Sequence, residues 1–118
     1  MAVTTEYREF VLEQFGRVVP AVTSRSMFGG VGIYSDGLFF ALLDNDNAYL
    51  KVDDSNRGDF EAVGMGPFNP FDDPTMVMQY YELPADLLED ADALSPWLHK
   101  AIDVARAARK KKTKKKKS

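Results

Sequence analysis

The sequence has 118 residues, 45% of them hydrophobic, with no cysteine and a net charge of −3, values typical of one globular domain. The missing cysteines exclude a disulfide framework, a zinc knuckle, an iron–sulfur site and thiol catalysis. The longest strictly apolar run, residues 38–43, is too short to cross a membrane, and the N-terminal residues lack the basic and apolar parts of a signal peptide, so we expect a soluble, cytoplasmic protein.

A first helix is predicted near the N-terminus. Thr4 or Thr5 can cap it, and Gly16 and Pro20 mark where it is expected to end. Its apolar residues recur at helical spacing and are predicted to pack on a sheet: Tyr7, Phe10, Val11, Phe15 and Val18.

Three strands are predicted next. Asp36-Gly37 favours a tight turn between strands at residues 33–34 and 38–43, and residues 44–47 form a second turn before a strand at 48–52. The alternation places Leu38, Phe40 and Leu42 on one face of the middle strand and Phe39, Ala41 and Leu43 on the other. A strand that is apolar on both faces must be covered on both sides. Because few helices are available, we expect a second copy of the chain to supply part of the cover.

The remaining elements alternate between helix and strand. A short helix is expected at residues 56–63, a surface loop at 65–74, a strand at 75–83, one helical turn at 86–89, and a last helix starting at Asp92 or Ser95. The order α-β-β-β-α-β-α predicts an α+β domain with flanking helices on a mostly antiparallel sheet of four to five strands.

The sequence contains no recognisable catalytic or metal-binding pattern. The single histidine, His99, is expected on the polar side of the last helix, and turns and helix caps explain the acidic pairs. The run Gly29-Gly30-Val31-Gly32 matches neither the dinucleotide fingerprint nor a P-loop, so a bulge or a close approach of two backbones is expected there. We therefore predict no enzyme activity, cofactor or metal; an enzyme would need a deep pocket holding Arg25, Tyr34 and Asp36.

A longer pattern begins at Arg25. It comprises Met27-Phe28-Gly29-Gly30-Val31-Gly32-Ile33-Tyr34-Ser35-Asp36-Gly37, Phe40-Ala41-Leu42, Tyr49-Leu50-Lys51-Val52-Asp53, and the run from Met76 to Tyr81 that leads into Pro84. Over about residues 5–108, this pattern resembles the TfoX N-terminal domain family, named for a regulator of bacterial competence. The resemblance implies an antiparallel α+β domain similar to secretion-chaperone folds, a tendency to form homodimers, and no catalytic residues. It also marks a candidate family surface at Arg25, Met27, Phe28, Gly29 and Gly30.

Charge is separated along the chain. Residues 1–108 hold seven Lys/Arg against 18 Asp/Glu, a formal charge of −11, whereas residues 109–118 carry eight basic residues and no acid. A run of like charges repels itself and stays solvated. We therefore predict a domain over residues 1–108 and a disordered, lysine-rich tail over residues 109–118.

Two functions follow from these observations. The resemblance favours a non-enzymatic regulatory or adaptor domain, related to competence and transcription regulators, that acts through dimerisation and an unidentified protein partner. The alternative is a nucleic-acid-associated protein that binds phosphates without sequence preference through Arg109, Lys110, Lys111, Lys112, Lys114, Lys115, Lys116 and Lys117. A solubility role, or loose contact of the tail with the acidic body, is the competing explanation. Competence regulators of this kind carry a second, helical domain where this sequence has lysines, so the resemblance supports the fold more than a competence role.

Overall fold

A computed structural model describes residues 3–27, 30–68 and 79–117, with the backbone alone described for residues 111–117. The described elements, in chain order, are α1 (Thr5–Gly16), β1 (Val22–Met27), β2 (Gly30–Ser35), β3 (Leu38–Asp44), β4 (Asn47–Lys51), α2 (Arg57–Ala62), β5 (Tyr80–Glu82), a 3₁₀ helix (Ala85–Glu89) and α3 (Ala91–Lys117).

The described strands form one sheet in the order of the sequence, β1-β2-β3-β4-β5, and each neighbouring pair is antiparallel. The predicted α+β class with an antiparallel sheet of four to five strands is confirmed. The predicted order omits one strand, β1, which precedes the expected hairpin. Its residues, Val-Thr-Ser-Arg-Ser-Met, lie at a sheet edge and are all partly or fully exposed, so they carry no period-2 apolar signal.

The two turns of the meander are made by residues that tolerate left-handed backbone. Asp36 and Gly37 connect β2 to β3 with φ of 50° and 81°, and Asn45 and Asp46 connect β3 to β4 with φ of 51° and 55°. Positive φ at both central residues matches the twist of the flanking strands. Both predicted turns are confirmed.

The core lies between one face of the sheet and the helices α1 and α3. Val11 and Phe15 of α1 are fully buried, and the Phe15 ring lies 5.7 Å from that of Phe40 on β3. The predicted apolar face of α1 is wrong at Phe10, which is 38% exposed. Val11 and Phe15, four residues apart, turn one narrow stripe toward the sheet and leave Phe10 at its margin.

A buried asparagine holds together the connection between β4 and α2. Asn56 is 1% exposed, its Oδ1 accepts from the backbone N–H of Asp53 at 2.9 Å, and its Nδ2 donates to the Lys51 carbonyl at 3.1 Å. The short helix and the helical turn at 85–89 agree with the prediction. Of the predicted strand at 75–83, residues 75–78 lie outside the described residues, and Tyr80–Glu82 forms β5.

The last helix differs from prediction at both ends. It begins at Ala91, because the Asp90 carboxylate accepts from the backbone N–H groups of Asp92 (3.1 Å) and Ala93 (3.2 Å), so neither Asp92 nor Ser95 is the cap. Its backbone continues as helix to Lys117, where an unfolded tail was expected. Once a helix is nucleated, each further residue adds one backbone hydrogen bond and loses only its own conformational entropy. Lysine is also a good helix former. The division of the chain at residue 108 stays a prediction.

Candidate functional site

The face of the sheet turned away from α1 and α3 is the candidate site. Cross-strand pairs place Arg25 beside Gly32, Gly32 beside Leu42, and Leu42 beside Tyr49, and paired residues share a face. We call this surface the open face and define it by the following residues: Arg25, Gly32, Tyr34, Phe39, Leu42, Tyr49, Lys51, Tyr80 and Glu82.

A row of aromatic rings crosses the open face. Tyr34 stacks on Phe39 with ring centroids 5.1 Å apart, and Phe39 lies 5.7 Å from Tyr80. The Lys51 Nζ sits 5.1 Å from the centre of the Tyr80 ring, within range of a cation–π interaction. Tyr49, which is also on the open face, packs on Phe68 with ring centroids 4.6 Å apart. The open face is therefore largely aromatic, with cationic groups at its margins.

A β-bulge decides which apolar side chains of β3 reach this face. The register shifts between Ile33 and Tyr34, which pair with Ala41 and Phe39 and leave Phe40 unpaired between them. The extra residue turns Phe40 into the core. The predicted strict alternation is therefore wrong: Leu38, Phe40, Ala41 and Leu43 join the helix-side core, whereas Phe39 and Leu42 lie on the open face.

Two glycines of β2 lie in close contact with neighbouring strands: Gly30, which belongs to the candidate family surface, and Gly32, which does not. A Cβ at Gly30 would lie 2.4 Å from the Leu43 carbonyl oxygen, so the expected close approach of two backbones is confirmed there. A Cβ at Gly32 would meet the Cε of Met27 at 2.5 Å and the Phe39 ring at 3.2 Å. Gly32 thus leaves the space over β2 that Met27 and Phe39 occupy.

The structure brings together part of the predicted family surface. Arg25 is exposed on β1 opposite Gly32, and Met27 pairs with Gly30. Phe28 and Gly29 lie outside the described residues. Tyr34, Phe39 and Tyr80 share no pattern in the sequence that places them together. Tyr49 and Lys51 did carry a signal, because they alternate with the buried Ala48 and Leu50.

Burial raises the pKa of two tyrosines of the open face, Tyr80 and Tyr49. Desolvation, followed by the nearby Tyr34, raises the pKa of Tyr80 to about 12. Desolvation and the neighbouring Glu82 and Asp44 carboxylates also raise the pKa of Tyr49. Both phenols are neutral at neutral pH and offer the face rings and O–H groups rather than proton-transfer groups.

Other groups singled out by sequence have structural partners. His99 is exposed on α3 with its Nδ1 2.9 Å from the Ser95 carbonyl, and the Asp46 carboxylate binds Thr4. Across the described residues, no group of three or more His, Asp or Glu side chains is placed to hold a metal ion. Within the same residues, no helix combines the length and apolar composition that crossing a membrane requires.

Of the predicted nucleic-acid residues, Arg109 and Lys110 are exposed on α3, past Ala105, its last buried residue among those with described side chains. The side chains of Lys111, Lys112, Lys114, Lys115, Lys116 and Lys117 lie outside the described residues. The role of these eight residues stays a prediction.

An antiparallel meander with helices on one face and aromatic rings on the other defines a small α+β domain built around an open sheet surface. The family model of the TfoX N-terminal domain matches residues 13–105, and the chain belongs to that family. The resemblance predicted from the sequence is thereby confirmed. The family is one of non-catalytic domains. No curated protein matches the chain.

Proposed function

We propose that this chain is a non-enzymatic regulatory or adaptor domain that pairs with a second copy through the open face and, as a dimer, contacts another protein. The aromatic composition of that face carries the proposal. In antiparallel sheets with one solvated face, the exposed side is usually polar. Here Tyr34, Phe39 and Tyr49 are half-buried and Leu42 is 8% exposed on the side that no described helix covers. The rings of Tyr34, Phe39 and Tyr49 are only partly buried within one chain, so a second copy would remove further apolar surface from water.

The charges on the open face are arranged for self-association. Arg25, Gly32, Leu42, Tyr49 and Glu82 form one row across all five strands, with Leu42 on the middle strand, a cation at one end and a carboxylate at the other. A two-fold axis parallel to β3 would run beside Leu42, the middle member of the row, and would pack the rows of the two copies against each other. The same axis would place Arg25 opposite Glu82 of the partner subunit, twice per dimer. Face-to-face packing of sheets needs only about 10 Å between them, which an arginine can span.

Charge reversal tests this arrangement. Arg25→Glu and Glu82→Arg should each weaken the dimer about tenfold, and the double variant should restore it, as sedimentation or light scattering at several concentrations would measure. Arg17→Glu reverses an exposed charge just after the C-terminus of α1, away from the open face, and serves as the matched control. A strictly monomeric wild-type chain at high concentration, or a double variant as weak as the singles, contradicts the proposal.

A second function is favoured by the basic residues at the end of α3. We infer that residues 109–117, the basic run, bind the phosphates of nucleic acid without reading its sequence. Arg109 and Lys110 are exposed on a helix that leaves the packed core at Ala105, while the acidic body repels polyanions. Each phosphate neutralised should steepen the slope of log K against log salt by about 0.9.

Replacement of the seven lysines of the basic run by glutamine keeps the chain length and the helix propensity while removing charge. Duplex DNA should then bind far more weakly, with a shallower salt dependence. Binding unchanged by this replacement would exclude the basic run as the contact.

A further inference from the structure

We infer that the basic run recognises duplex nucleic acid as a helix, a continuation of α3 that is held in its helical state by the phosphates it neutralises. This inference rests on the second function proposed above and goes beyond it. A disordered lysine tail would bind phosphates in many conformations. A helical extension of α3 instead leaves the domain in one direction and presents a short cationic rod.

The helix of α3 extends well past the packing that stabilises it. Its backbone is helical from Ala91 to Lys117, whereas its buried side chains end at Ala105 among those described. Asp103 is the last acidic residue of the sequence, and it pairs with Arg106 at 3.1 Å. No Asp or Glu follows Asp103 in this sequence.

Two opposing effects meet in the basic run. Lys110, Lys111 and Lys112 are each followed by a lysine four residues later, and like charges at this spacing destabilise a helix. In favour of the helix, nucleation is already provided by the packed part of α3, and positive charge is favourable near a helix C-terminus. Bound phosphates neutralise the lysines and remove their mutual repulsion. The nucleation provided by the packed part of α3 is unaffected. The bound polyanion should therefore stabilise the helical state of the basic run.

The dimensions match a duplex groove. Nine helical residues span about 13.5 Å, and a helix with its side chains is roughly 10–12 Å wide. The major groove of B-form DNA is about 12 Å wide, with phosphates along both of its walls. Thr113 is the one neutral residue of the basic run, so basic positions occur on every side of the helix and can serve both walls. Lysine on phosphate carries no base information, so binding should be indifferent to sequence.

Thr113 supplies the test, because changing it alters helix propensity without altering charge. Thr113→Pro removes a backbone donor and breaks the helix inside the basic run, whereas Thr113→Ala favours the helix. The full chain and both variants are titrated with a mixed-sequence duplex of about 16 base pairs at low salt. Binding is followed by anisotropy of the labelled duplex, and helix formation by the Cα chemical shifts of residues 109–117.

The wild type and Thr113→Ala should show helical Cα shifts over residues 109–117 in the complex, and Thr113→Pro should bind at least about tenfold more weakly than Thr113→Ala. Equal affinity of the two variants, with no helical shift in the wild type, overturns the helical mode and leaves phosphate binding by the basic run standing. Failure of all three proteins to bind overturns the helical mode and the second proposed function together.

Discussion

The carboxylate of Asp46 holds Thr4 from across the fold. Asp46 Oδ1 accepts the Thr4 backbone N–H at 2.8 Å and Oδ2 accepts its hydroxyl at 3.1 Å, although 42 residues separate the two. The Thr4 hydroxyl oxygen in turn accepts the backbone N–H of Tyr7 at 3.2 Å. The turn between β3 and β4 thus secures the N-terminus of α1 against the sheet.

Asp46→Ala should lower the free energy of unfolding by about 1–2 kcal/mol more than Asp36→Ala does, because it removes two hydrogen bonds to the helix cap. Asp36 is the matched control, since it has almost the same positive φ in the other hairpin, so strain in the turn cancels between the two variants. Urea denaturation of both measures the difference. Equal losses would mean that the contact with Thr4 contributes nothing to stability.

Gly30→Ala should destabilise the domain by about 2–4 kcal/mol, because the new Cβ would lie 2.4 Å from the Leu43 carbonyl oxygen. Gly58→Ala should do the opposite. Nothing lies within 4 Å of a Cβ at Gly58 in α2, and alanine should stabilise that helix by about 0.5 kcal/mol. Denaturation midpoints distinguish the two; a neutral Gly30→Ala would contradict the close approach of β2 to β3.

Asn56→Ala should cost about 2–4 kcal/mol, because it leaves the Asp53 N–H and the Lys51 carbonyl without their buried partner. Asn47 provides the comparison: its Nδ2 donates to the Asn45 carbonyl at 3.3 Å on the exposed surface. Asn47→Ala should therefore change stability by less than about 0.5 kcal/mol. Similar losses for both asparagines would argue against a special role of Asn56 at the start of α2.

Stability should fall as pH rises above about 10, the ordinary pKa of tyrosine. Burial raises the pKa of Tyr80 to about 12, and burial together with the Asp46 carboxylate raises the pKa of Tyr7 to about 12. Between pH 10 and about pH 12, the unfolded chain releases phenolic protons that the folded chain retains. Deprotonation in this range therefore favours unfolding. Unfolding midpoints at pH 8, 10 and 11 measure the slope. The double variant Tyr7→Phe, Tyr80→Phe should flatten it; an unchanged slope would assign the alkaline loss to other groups.

The sequence by itself determined the features that depend on neighbouring residues. A cap of α1 at Thr4 or Thr5 and turns at Asp36-Gly37 and at residues 44–47 follow from residue types at short spacing. The α+β class and the family resemblance follow from the order of such segments along the chain. The alternation of residues within β4 also indicates that Tyr49 and Lys51 lie on the face opposite to Ala48 and Leu50. Such signals survive in the sequence because the energy that favours each conformation is local.

Tertiary structure alone decided the pairing of distant segments. The bulge at Ile33 and Tyr34 places Phe40 in the core and Phe39 on the open face. Because both residues are phenylalanines, their hydrophobicity does not indicate which of them is buried in the core. The polar β1 becomes a strand because it has β2 to pair with, and Asp90 caps α3. The open face exists only once five strands meet, since hydrogen bonds and packing between residues far apart in the chain place its rings side by side.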